Sequence, residues 1–224
     1  PIRSFENRNP LELERDLGNL SRIAQAEKFV VLGGEPMLHP KLAEILKVIW
    51  NSGIAPITEM WTNGQLRDQM SDEVWNDLDS IVANFYPGKV SADRQAAIAR
   101  KANEMGVKFE SDRMTQFYKN HQAATRDYAS AKDYFNTCPY ADHCFTILHG
   151  YIFRCPQSTA IPKYLLGLPE HTDGLKLSGL EAEDLQTFLT QKEPLESCKR
   201  CVRWEGYAEW KEAPKATWLQ ESSL

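Results

Sequence analysis

The sequence predicts an α/β fold with parallel strands over its first half, followed by a smaller α+β segment built on a different plan. Three observations carry this. Up to about residue 127, apolar strand-like runs alternate at short intervals with amphipathic helix-like runs. That alternation implies parallel strands joined by right-handed crossovers, in either a barrel or a doubly wound sheet. Beyond that point the alternation stops, and all five cysteines (Cys138, Cys144, Cys155, Cys198 and Cys201) lie after the break. Two domains are therefore expected, 1–127 and 128–224.

Taken in order, "LELERDLGNLSRIAQA" (11–26) has the apolar spacing of an amphipathic helix, with Pro10 at its start. "KFVVLGG" reads as a buried strand, and "HPKLAEILKVIWNSG" as a helix stopped by Gly53. "APITEMWTNG" is a second strand and turn. "SDEVWNDLDS" is a helix capped by Ser71. "IVANFYP" is a third strand, "SADRQAAIARKANEMG" a helix ended by Gly106, and "VKFESDRM" a fourth strand. In the second domain "CFTILHGYIFRC" reads as a hairpin turning at Gly150, and "EAEDLQTFLTQK" as a helix with a solvated acidic start at 181–184. Trp50, Trp61 and Trp75 are expected to pack in the core or a barrel wall. Trp204, Trp210 and Trp218 are expected to anchor the tail.

The totals narrow the function. The chain has 224 residues, 42% hydrophobic and 25% charged, with a net charge of −5, so no basic nucleic-acid surface is indicated. No apolar run reaches the roughly 18 residues a membrane span needs, and a cytoplasmic protein is expected. An odd number of cysteines without an export signal points to metal rather than disulfides.

In either parallel architecture ligands bind at the carboxyl ends of the strands. The polar residues expected there are Gly33, Gly34 and Glu35; Thr62, Asn63 and Gly64; Asn84 and Tyr86; and Glu110 with Asp112. They are expected to converge on one face. A bare carboxylate directly after two glycines suits a ligand held through backbone contact.

The order strand–"GGEP"–"LHP"–helix, then strand–"TNG", resembles the core of radical S-adenosylmethionine enzymes. The later cysteines, the hairpin Gly150 to Cys155 and the "CKRC" pair Cys198 and Cys201 resemble the twitch or SPASM extension that carries an auxiliary cluster in that superfamily. The resemblance spans residues 11 to 203. It implies a partial (β/α)6-type TIM barrel lacking its first strand, followed by the extension. It implies that the methionyl part of S-adenosylmethionine lies along Gly33 and Gly34, that Glu35 accepts a hydrogen bond from its ammonium, and that Thr62 and Asn63 contact its ribose. It also implies an auxiliary [4Fe–4S] cluster on thiolates from Cys138, Cys144, Cys155, Cys198 and Cys201. Four ligands suffice, so one thiol is spare, and either or both of Cys138 and Cys144 serve. His143 and His149 read as loop histidines and His39 as structural.

The sequence departs from the superfamily at one point. It contains no C-x3-C-x2-C loop for the first [4Fe–4S] cluster, which is expected upstream of Pro1. With that loop the implied chemistry is cleavage of the cofactor to a 5′-deoxyadenosyl radical, which abstracts hydrogen from a peptide, protein or sugar-like alcohol. A flavodoxin or ferredoxin would supply electrons. No residue is assigned as catalytic. Two other readings stand beside it: a cluster-bearing binding or electron-transfer relative without radical chemistry, and a zinc-stabilised scaffold. The absence of a second C-x2-C pair favours the cluster over zinc.

Overall fold

The computed structural model describes residues 7–65, 70–203 and 207–209. The chain divides into two compact units between Thr115 and Gln116. The first is mixed α/β. Its elements are α1 (Pro10–Leu20), β1 (Phe29–Val31), a 3-10 turn (Pro36–Leu38), α2 (Leu42–Ser52), β2 (Thr58–Thr62), α3 (Asp72–Asn76), β3 (Ser80–Phe85), α4 (Ala92–Glu104) and β4 (Lys108–Arg113). The four strands form one parallel sheet in chain order, β1-β2-β3-β4.

Side chains alternate across each strand, and the two faces of this sheet are unlike. Met60, Ile81, Ala83 and Phe85 point into an apolar core with Leu42 and Leu46 of α2, Val74 and Trp75 of α3, and Ile98 and Ala102 of α4. On the other face the register aligns Val30, Glu59, Ser80 and Lys108 in one row. The next rows align Trp61, Val82 and Glu110, then Asn84 and Asp112. These residues belong to no apolar cluster among the described residues, and Trp61 is 44% exposed.

Four expectations change here. The "KFVV" run is not a buried strand: β1 is half-buried, because it is the outermost strand of the described sheet and has a neighbour on one side only. Trp75 is core at 1% exposure, but Trp50 and Trp61 are 59% and 44% exposed. Trp50 sits on the outer side of α2 and Trp61 on the polar face of β2, so neither meets the helix–sheet core. The first helix ends at Leu20 rather than near 26. Ser71 occupies the N-cap of α3, but its side chain makes no capping bond. Elsewhere the stop signals act as expected: Gly53 ends α2 in the left-handed conformation at φ 61°, and Gly106 follows α4 at φ 70°.

The second unit holds β5 (Gln116–Tyr118), α5 (Tyr128–Asn136), β6 (Thr146–Leu148), β7 (Tyr151–Phe153), α6 (Ile161–Leu165), β8 (Gly174–Lys176), α7 (Ala182–Thr190) and β9 (Tyr207–Glu209). β6, β7 and β8 form an antiparallel sheet, while β5 pairs with β9. The β6–β7 turn is His149-Gly150, both with positive φ (48° and 82°), as a two-residue hairpin requires. The change of pattern at 127 falls just before α5, while the division between units lies at β5. Trp204, Trp210 and Trp218 fall outside the described residues. Among the described residues no helix is long and apolar enough to cross a membrane.

Candidate functional sites

In the first unit Glu35 ends the β1 loop as N-cap of the 3-10 turn, in extended backbone, and accepts from the Met37 N–H at 3.2 Å. Its carboxylate also reaches the end of β2. Thr62 Oγ1 donates to Oε1 at 2.7 Å and the Asn63 N–H donates to Oε2 at 2.8 Å. Thr62 Oγ1 in turn accepts from the Gly64 N–H at 3.0 Å, and Asn63 Oδ1 from the Gln65 N–H at 2.9 Å. A carboxylate has about four acceptor positions, so these three bonds leave one for a further donor. Tyr86 at the end of β3 is close enough to feel the carboxylate: burial first, then the charge of Glu35, pushes its phenol above the ordinary value.

The glycines before Glu35 are not required by the local backbone. Neither Gly33 nor Gly34 is among the glycines with positive φ. A Cβ on Gly33 would meet nothing within 4 Å, and both residues are exposed. Gly64 is the contrary case. Its φ is 72°, and a Cβ there would come within 2.7 Å of Phe85 Cε1. Gly64 is a glycine the fold needs, whereas Gly33 leaves an open approach beside Glu35.

On the polar face, towards the start of β2, Glu59 accepts from Lys28 Nζ (2.7 Å), Trp61 Nε1 (2.7 Å) and Ser80 Oγ (2.8 Å). Burial pushes its carboxyl up, but those three bonds outweigh it and the value lies below the usual one. The ionised carboxylate thus pins the exposed indole of Trp61. Sequence reading missed this group, whose members come from three separate segments. His39 is structural: its Nδ1 accepts from the Lys41 N–H (3.0 Å), so Nε2 carries the proton and donates to the Arg8 carbonyl (2.9 Å).

In the second unit all five cysteines are free and partly buried. Cys155 follows β7, Cys198 lies in the 3-10 turn Glu196–Lys199, and Cys138 packs with Cys198 beside Phe135, Ala141 and Leu195. Burial pushes the thiols of Cys155 and Cys198 up to about 12 and raises those of Cys144 and Cys201. Mutual repulsion adds to this. Cys155, Cys198 and Cys201 act on one another, Cys138 acts on Cys201, and Cys144 feels Cys138. Backbone hydrogen bonds from Ser158 and Gln157 oppose the rise at Cys155, and the Arg203 N–H reaches Cys201 Sγ at 3.3 Å.

Two buried groups fix the thiol segments. Asp173, 6% exposed, accepts from the N–H groups of Glu196 and Ser197 at 2.7 and 2.8 Å and so anchors the turn that presents Cys198. Arg154 is fully buried. Its guanidinium donates to the carbonyls of Ala141 (3.1 Å), Phe188 (3.3 Å) and Gln191 (2.7 Å) and to Asp142 Oδ1 (2.9 Å). It ties the Cys138–Cys144 segment and the end of α7 to the strand before Cys155. His149 pairs with Glu170 at 3.0 Å, and His143 is exposed. Even so, among the described residues no group of three or more His, Cys, Asp or Glu side chains is arranged to hold a metal ion. The thiols are neighbours that do not close on one point.

The chain matches no family model, and no curated protein matches it.

Proposed function

We propose that this chain is the partial barrel and auxiliary-cluster extension of a radical S-adenosylmethionine enzyme. The observation that carries the proposal is the three-bond join of Glu35 to Met37, Thr62 and Asn63, which brings the "GGE" and "TNG" motifs together at the strand ends. One acceptor position of Glu35 and the open space at Gly33 would receive the ammonium and methionyl chain of the cofactor. When bound together with a reduced cluster, that cofactor supplies a carbon-centred radical for hydrogen abstraction from a peptide, protein or sugar-like alcohol.

The sheet favours the partial barrel over a doubly wound fold. A doubly wound sheet carries helices on both faces, whereas a barrel carries them outside and keeps its inner face for side chains and ligand. Here α2, α3 and α4 share one apolar core, and the opposite face bears Glu59, Trp61, Ser80, Asn84, Lys108, Glu110 and Asp112.

For the second unit the donor set fits an iron–sulfur cluster in type: free, partly buried cysteines, with backbone N–H donors at the sulfurs of Cys155 and Cys201. It fits a single zinc less well. Structural zinc sites are commonly built from two closely spaced ligand pairs such as C-x2-C, and the chain has one such pair, Cys198 and Cys201. A four-iron cluster gives each thiolate its own iron. Cys138, Cys155, Cys198 and Cys201 would be its ligands: Cys138 and Cys198 pack against one apolar cluster, and Cys144 is not among the residues packed there. The test is S-adenosylmethionine binding by calorimetry to the protein joined to a C-x3-C-x2-C cluster loop. Binding that Glu35→Ala abolishes supports the reading, and binding indifferent to Glu35→Ala defeats it.

A further inference from the structure

The thiol site of the second unit is bordered by two arginines, Arg126 and Arg203. Arg126 Nη1 donates to the carbonyl of Cys198 (3.4 Å) and also to that of Cys201. Arg203 donates to the carbonyls of Tyr134 (2.7 Å) and Thr137 (3.1 Å) and to Thr137 Oγ1 (2.7 Å). Both guanidiniums lie over the Tyr134 ring, at 4.0 and 3.7 Å from its centroid. Two guanidiniums cannot share one face of a ring at those distances, so they sandwich it. Arg203 itself has φ 48°, a conformation non-glycine residues rarely adopt. Among the described residues neither arginine forms an ion pair with a carboxylate.

Backbone carbonyls and an aromatic ring satisfy the N–H groups and steady the planes, but they cancel no charge. Among the described residues two positive charges therefore stand beside Cys201 without a paired carboxylate. Buried negative charge is costly unless paired, and the thiolates and sulfides of a four-iron cluster together bring more of it than its ferrous and ferric irons offset.

We propose that Arg126 and Arg203 are the charge-compensating pair of the thiol site. Fixed on the two faces of Tyr134, they offset the negative charge of a bound cluster and set its reduction potential. This rests on the cluster reading above and adds what tunes the cluster. The arginines are positioning and electrostatic residues, not ligands. Reduction adds one negative charge to the cluster, so nearby cations favour the reduced form and raise the potential.

The experiment uses the 224-residue chain, reconstituted without oxygen with ferrous iron and sulfide, and reads the midpoint potential by electron paramagnetic resonance. Iron content and circular dichroism are measured on the same samples. Arg126→Gln and Arg203→Gln are each expected to move the potential to more negative values, and the double variant further. Arg126→Lys and Arg203→Lys should restore most of the shift, while Lys176→Gln, an exposed charge on β8, should cause little. Loss of iron in the Gln variants but not the Lys variants also supports charge compensation. Unchanged potentials in folded, iron-loaded Gln variants overturn it, as does equal loss of iron in Gln and Lys variants. A wild-type chain that takes up no iron overturns the cluster reading itself, before any variant is compared.

Discussion

Thr62 holds Glu35 across the ends of two neighbouring strands: its hydroxyl donates to Oε1 at 2.7 Å, and the Asn63 N–H beside it donates to Oε2 at 2.8 Å. The join depends on a negative acceptor. In Glu35→Gln one oxygen becomes a donor facing Thr62 or Asn63, and the charge assistance is lost. Hydrogen bonds to charged groups contribute about 1.5–3 kcal/mol, so a loss near that size is expected in urea unfolding. If the proposed function holds, S-adenosylmethionine affinity should fall at least about tenfold, which corresponds to roughly 1.4 kcal/mol.

Gly33→Ala separates a glycine kept for ligand approach from one kept for the backbone. With no positive φ and open space at its Cβ, alanine should leave stability unchanged or raise it by up to about 1 kcal/mol, while cofactor affinity falls. Gly64→Ala should instead destabilise by roughly 1–3 kcal/mol, from a strained left-handed residue and the 2.7 Å approach to Phe85. Equal destabilisation by both changes in chemical denaturation would show that Gly33 is structural.

Glu59 makes an acid-sensitive contribution to stability. Its folded value lies below the ordinary one because its bonds to Lys28, Trp61 and Ser80 outweigh burial. A carboxylate so lowered adds stability that is present above its unfolded value, about 4.3, and is lost as pH falls through the folded value. Glu59→Gln should therefore lose stability at neutral pH and show a shallower decline below about pH 4.3. Unfolding midpoints from pH 3 to 7 read this. A decline as steep as the wild type's would remove Glu59 from the account.

Local signals made much of the first unit legible. Glycines that end helices, apolar runs for strands and the order of "GGEP" and "TNG" are properties of contiguous residues, and the elements lie where those signals put them. The exposure of Trp61 was not legible, because it follows from which face of the sheet lacks helices. The environment of β1 depends on its neighbours in the sheet, which the run "KFVV" does not encode. Arg154 looked like any residue before a cysteine, and its four bonds to two segments exist only once α7 and the Cys138–Cys144 segment are in place. Arg126 and Arg203 meet only because α5 places Tyr134 between them.

Cys138 and Cys144, six positions apart in the sequence, should behave differently. Cys138 packs with Cys198 against Phe135, Ala141 and Leu195, and Cys144 is not part of that cluster. Cys138→Ala is expected to lose bound iron as Cys198→Ala does, and Cys144→Ala to keep it. Iron counts and visible absorption on the three variants decide between the two thiols, and the reverse pattern would make Cys144 the fourth ligand.

The most direct test of the central claim is the iron, sulfide and zinc content of the 224-residue chain, purified without oxygen. The account predicts about four irons and four sulfides per chain, with little zinc. One zinc per chain without sulfide, or no metal at all, would contradict it.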